Sequence, residues 1–135
     1  MTTLPSADAT PTVSRGRRIV GWIISLIPSA MILMGGIVDL LQLDFAKEGL
    51  TRAGYSESIM VPIGVVMVAS VILYLIPRTA AIGAILLTGY MGGAVATHGV
   101  MKDPVYMMIP AIVVGVFVWL GLVLRDARFR AVLPW

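Results

Sequence analysis

The chain has 135 residues, of which 59% are hydrophobic and 13% charged, with a net charge of +3 and a mean hydropathy of +0.96. That balance excludes an ordinary soluble domain and points to an integral membrane protein whose first partner is the lipid bilayer. Without cysteine the chain has no disulfide, thiolate metal site, iron–sulfur cluster or thiol nucleophile, and without a basic groove interleaved with aromatics nucleic acid is not expected as a partner.

Residues 1–14, MTTLPSADATPTVS, are rich in Thr, Pro, Ser and Ala and lack apolar periodicity, so a disordered cytoplasmic tail is expected. Residues 15–135 read as a single domain with spans at 19–42, 58–76, 79–101 and 104–124, each near the roughly 20 apolar residues that cross a bilayer. The RGRR before the first run would also suit a signal peptide. The run is longer than a signal core and lacks a small-x-small cleavage site, which favours a retained helix.

The first connection, LDFAKEGLTRAGYSES at 43–58, carries Leu50, Ala53 and Tyr55 at near-helical spacing and predicts a short interfacial helix. Gly54 would end it, and Ser56 or Ser58 would start the next span. Only Pro77 and Arg78 separate spans two and three, and only Lys102 and Asp103 separate three and four, which forces antiparallel neighbours. The expected fold is therefore all-α, an integral membrane four-helix antiparallel bundle with a short interfacial segment between helices one and two.

In the third span Ala80, Ala84, Thr88, Gly92 and Ala96 recur at every fourth position, beside Gly89, Gly93 and Thr97. Small residues at this spacing predict close helix packing, and the second row could equally face another protomer of a homo-oligomer. Pro28, Pro62 and Pro110 are expected to kink helices one, two and four. Arg15, Arg17, Arg18, Arg78, Arg125, Arg128 and Arg130 share one end, against Lys47, Arg52 and Lys102 at the other. This asymmetry predicts cytoplasmic termini, and the expected location is a bacterial cytoplasmic membrane.

Asp39 lies about 30 Å along the first span and His98 about 28 Å along the third, by the helical rise, so both should sit near the outer end. Gln42 joins the face of Asp39 and Gly35 leaves room below it, while Tyr55, Thr97, Lys102 and Tyr106 come from neighbouring outer ends. The expected site has Asp39 and His98 as an acid–base pair and Gln42, Tyr55, Thr97, Tyr106, Gly35 and Lys102 as ligand-binding residues, with no metal. The alternative for His98 is a neutral imidazole bonded to Asp39 or to a backbone carbonyl, locking helix one to helix three. Lys102 and Asp103 would then form a solvated turn.

AGYSESIMVPIGVVMVASVILYLIPRTAAIGAILLTGYMGGAVATH at 53–98, the DP at 103–104 and WLGLVLRDARFRAVLP at 119–134 resemble the DoxX-like family of small four-helix membrane proteins, over Gly35 to Pro134. The resemblance implies a bundle related to the membrane subunit of a thiosulfate and quinone oxidoreductase and to proteins of membrane redox or thiol-stress complexes. It implies a soluble or membrane redox partner, with a quinone as the candidate cofactor. The sequence departs from the family pattern in having Asp39 in place of a Lys, Met67 in place of a Glu, and no arginine soon after His98. Two functions follow. One is a small lipophilic ligand, such as a quinone, bound at the outer end within a membrane redox system. The other is a cofactor-independent enzyme in which Asp39 and His98 act on a lipophilic substrate, by isomerisation, cyclisation or epoxide opening.

Overall fold

The computed structural model describes residues 12–132, so the expected tail lies outside the described residues except for Thr12, Val13 and Ser14. The chain forms α1 (Arg15–Leu40), α2 (Asp44–Arg52), α3 (Met60–Leu75), α4 (Ala80–Val100), α5 (Ile109–Arg125) and α6 (Ala127–Val132). Short 3-10 turns at Glu57–Ile59 and Val105–Met107 lead into α3 and α5. With those turns included, α1, α3, α4 and α5 are each long and apolar enough to cross a membrane.

α1 packs on α3 and α5, and α4 closes the ring against the same two helices. Each spanning helix thus lies beside its sequence neighbours, the up-and-down order that short connections dictate. Ile23, Ile27, Met34, Ile82, Ile85 and Val116 point outward and are more than half exposed apart from the protein itself. Apolar residues on the outer faces suit lipid rather than water. The interior is filled by Ile32, Met67, Val71, Tyr74, Ala84, Leu87, Val118 and Leu122.

That core favours one end. The buried residues of α4 are Ala80, Gly83, Ala84 and Leu87, all in its first half. At this arginine end a Cβ on Gly83 would fall on the Tyr74 backbone, and one on Gly21 would lie 2.7 Å from the Arg125 nitrogen. The Tyr74 hydroxyl lies 2.7 Å from the Val118 carbonyl and 2.9 Å from Ser25 Oγ, tying α3 to α5 and α1. The Arg125 guanidinium lies 4.4 Å from the ring centroids of both Trp22 and Tyr74, and its Nη2 donates to the Tyr74 carbonyl. A cation between two aromatic faces is held by their quadrupoles as well as by packing.

Three expectations change. The small-residue row packs only as far as Ala84, because a Cβ on Gly89, Gly92 or Gly93 would meet nothing within 4 Å. Pro62 is the third residue of α3 and Pro110 the second of α5. There the ring occupies a first-turn position whose N–H has no intrahelical partner, so it starts a helix without breaking one. Pro28 alone of the three sits deep within a helix, buried in α1. Finally, the fourth span enters through the 3-10 turn at Val105–Met107, which leaves 101–104 between the third and fourth spans where two residues were expected.

Candidate functional site: a cavity at the histidine end

Beyond Leu87, α4 continues for more than three turns without a buried residue. The reason lies in its two faces. Tyr90, Gly93, Ala94, Thr97 and His98, spaced i, i+3, i+4, i+7 and i+8, line a cavity of about 410 Å³. Thr88, Met91, Gly92 and Val95 face a second, almost wholly apolar cavity of about 650 Å³ between α4 and α5, open on the outward side where Val116 lies. Trp119 stands at the latter, its Nε1 donating to Thr88 Oγ1 at 2.9 Å.

Asp39 of α1, Ile63 of α3, and Ala46, Gly49, Leu50, Ala53 and Tyr55 of α2 and its exit complete the histidine-end cavity. Its position follows from how three helices end. After α1, the Gln42 N–H bonds the Asp39 carbonyl and the Leu43 N–H the Val38 carbonyl. The same pair of bonds recurs after α2 around Gly54 and after α4 around Lys102. This is the Schellman stop, whose turning residue takes a positive φ: 52° at Gln42, 84° at Gly54 and 56° at Lys102. The first stop turns the chain so that α2 roofs the cavity.

The third stop builds the polar wall. It bonds the Asp103 N–H to the His98 carbonyl at 3.0 Å and thereby sets the Asp103 side chain beside the imidazole. His98 Nδ1 meets Asp103 Oδ2 at 2.8 Å, where a Schellman motif usually holds an apolar contact. Arg52 at the end of α2 reaches Asp103 Oδ1 at 3.6 Å. A second tie joins the roof to α4. Thr97 Oγ1 donates to the Gly93 carbonyl and, at 2.9 Å, accepts from the Tyr55 hydroxyl.

His98 is therefore partnered by Asp103, in place of the Asp39 or backbone carbonyl considered from sequence. Nor is Asp103 part of a solvated turn, since its side chain is only 10% exposed. Its carboxylate can only accept, so His98 carries a proton on Nδ1 and, when neutral, presents Nε2 as a basic lone pair. Asp39 is half-buried on the same cavity, and no hydrogen bond joins it to His98.

Of the residues expected at the site, Asp39, Tyr55, Thr97 and His98 line one cavity. Gly35 packs instead against Met67, and Gln42, Lys102 and Tyr106 are exposed near the same end without lining it. Tyr90, Ile63 and Leu50 also line the cavity and were not among the residues expected there. Tyr90 was within reach, being two turns below His98 on the same face. Among the described residues no three His, Asp or Glu side chains converge as a metal site would require.

No curated protein and no solved structure gives a significant match to the chain. A model of the DoxX-like family matches residues 23–121, a stretch covering most of α1, all of α2, α3 and α4, and most of α5. With more than half of its length matched on a bundle of four apolar helices, the chain belongs to the DoxX-like family.

Proposed function

We propose that the chain binds a small lipophilic molecule in the cavity under α2. The observation that carries this reading is the convergence of Asp39, Tyr55, Tyr90, Thr97 and His98 on one 410 Å³ space otherwise walled by Leu50, Ala53, Ile63 and Ala94. Apolar walls with a few polar groups are the usual make-up of a small-molecule site, and the volume falls in the ordinary range for one. A quinone headgroup is the candidate the family resemblance suggests, since its two carbonyls would accept from hydroxyl or imidazole donors. In that setting the chain serves a membrane redox system by holding the lipophile for a redox partner. The arginine excess at the other end supports cytoplasmic termini, with the cavity facing outward, in what we take to be a bacterial cytoplasmic membrane.

The His98–Asp103 pair favours a second reading, acid–base catalysis. A carboxylate on Nδ1 fixes the tautomer and orientation of an imidazole base, as in hydrolase triads, and Asp39 is a second proton-transfer group on the same wall. Isomerisation, cyclisation or epoxide opening of a lipophile needs no further group.

Mass spectrometry of lipophiles extracted with the purified protein tests both. The expected result is one lipophile enriched in the wild type and depleted about tenfold or more in His98→Ala and Asp39→Asn, the loss that one or two polar contacts produce. Wild-type occupancy in both variants would contradict the site. Supplying the recovered compound in deuterated water then separates the readings, because a catalyst converts or labels it and His98→Gln does not, whereas a holder returns it unchanged.

A further inference from the structure

The arginine end holds another cavity, of about 390 Å³, lined by Arg18, Trp22, Pro77, Arg78, Ala80, Arg125, Asp126 and Arg128. Four guanidinium groups face one carboxylate there, and the Asp126 carboxylate already accepts the Arg128 backbone N–H at 2.9 Å. Among the described residues none of the four arginines forms an ion pair. Arg125 is 91% buried, counting from its 9% exposure, and its Nη1 has no hydrogen-bond partner. A buried guanidinium nitrogen without an acceptor is costly; Arg17 Nε is another among the described residues, and of the two arginines Arg125 lines this cavity. α4 also begins here, with Ala80 on the cavity wall and no side chain capping the helix. The N-terminus of this 21-residue helix therefore adds its positive pole to the same space.

We infer that this cavity binds a phosphate-type anion. Arginine forks match phosphate oxygens in pairs, and the cavity lies where the spans end, at the depth of lipid headgroups. The phosphodiester of an anionic phospholipid and free phosphate share this chemistry. Either would supply oxygens to Arg18, Arg78 and Arg128 beside the buried charge of Arg125. The site is separate from the cavity under α2 and does not depend on what that cavity holds.

The full chain, delipidated in neutral detergent, is titrated with phosphatidylglycerol, with phosphatidylcholine and with inorganic phosphate, following bound mass and melting temperature. Arg78 and Arg128 are exposed, so Arg78→Gln and Arg128→Gln leave the packed core untouched. Arg15→Gln removes a charge at the same end from a residue that does not line the cavity and serves as control. The expected result is selective binding of phosphatidylglycerol over phosphatidylcholine, weakened about fivefold by each cavity substitution and roughly 25-fold by both together, with the control unchanged. Protection by inorganic phosphate alone, lost in the same variants, supports the site and names a soluble anion as its ligand. Equal binding of the two lipids without a phosphate effect, or equal weakening by Arg15→Gln, overturns it.

Discussion

The two halves of α4 contain the same kinds of small residue and do opposite things. At the arginine end Gly83 lets the helix lie directly on the Tyr74 backbone, and Ala80, Ala84 and Leu87 are buried against α3 and α5. At the histidine end Gly89, Gly92 and Gly93 have no neighbour within reach of a Cβ, and the helix borders two cavities. Small residues permit close approach in a membrane but do not compel it. The close half lies beside the polar knot of Ser25, Tyr74 and Arg125, which joins α1, α3 and α5, whereas the described polar contacts of the histidine end run from Thr97 to Tyr55 and from His98 to Asp103.

Bulk on the two halves breaks the comparison most sharply. Gly83→Leu should cost about 3 kcal/mol or more, because the displaced atoms are backbone, whereas Gly89→Leu should leave the melting temperature close to wild type. Equal loss in both would mean that α4 packs tightly along its whole length. The two tyrosine hydroxyls sharpen the contrast. Tyr74→Phe leaves the buried Val118 carbonyl and Ser25 Oγ short of a partner and should cost about 1–3 kcal/mol. Tyr55→Phe unties an exposed contact and should cost about 1 kcal/mol or less, while loosening α2 as read by amide hydrogen exchange. The smallest effect is a gain. Lys102 holds a left-handed φ of 56° that glycine adopts without strain, so Lys102→Gly should raise stability by about 1 kcal/mol in equilibrium unfolding.

Much of this was legible in the sequence. Four charge-free runs, the short helix over 43–58 and the stop at Gly54 follow from hydropathy and turn chemistry. The shared neighbourhood of Asp39 and His98 follows from counting residues along two antiparallel helices. The pairing of His98 was not legible, because the Schellman stop at Lys102 has no glycine to announce it. Without that turn, Asp103 reads as a surface charge. The Arg125 sandwich was also hidden, since Trp22, Tyr74 and Arg125 come from three helices and no local pattern links them. The glycine row shows the opposite failure. Its spacing signals that a neighbour can come close, but whether one does depends on contacts distant in sequence.

The central claim is that the loosely packed half of α4 exists to hold a ligand under α2. Gly93 lines that cavity while Gly89, one turn earlier, lines neither cavity, and both have open space at Cβ. The most direct measurement compares the lipophile retained by Gly93→Leu and Gly89→Leu, each checked for a wild-type melting temperature. Loss of the lipophile from Gly93→Leu with retention in Gly89→Leu is the predicted result. Wild-type occupancy in a folded Gly93→Leu would contradict the account.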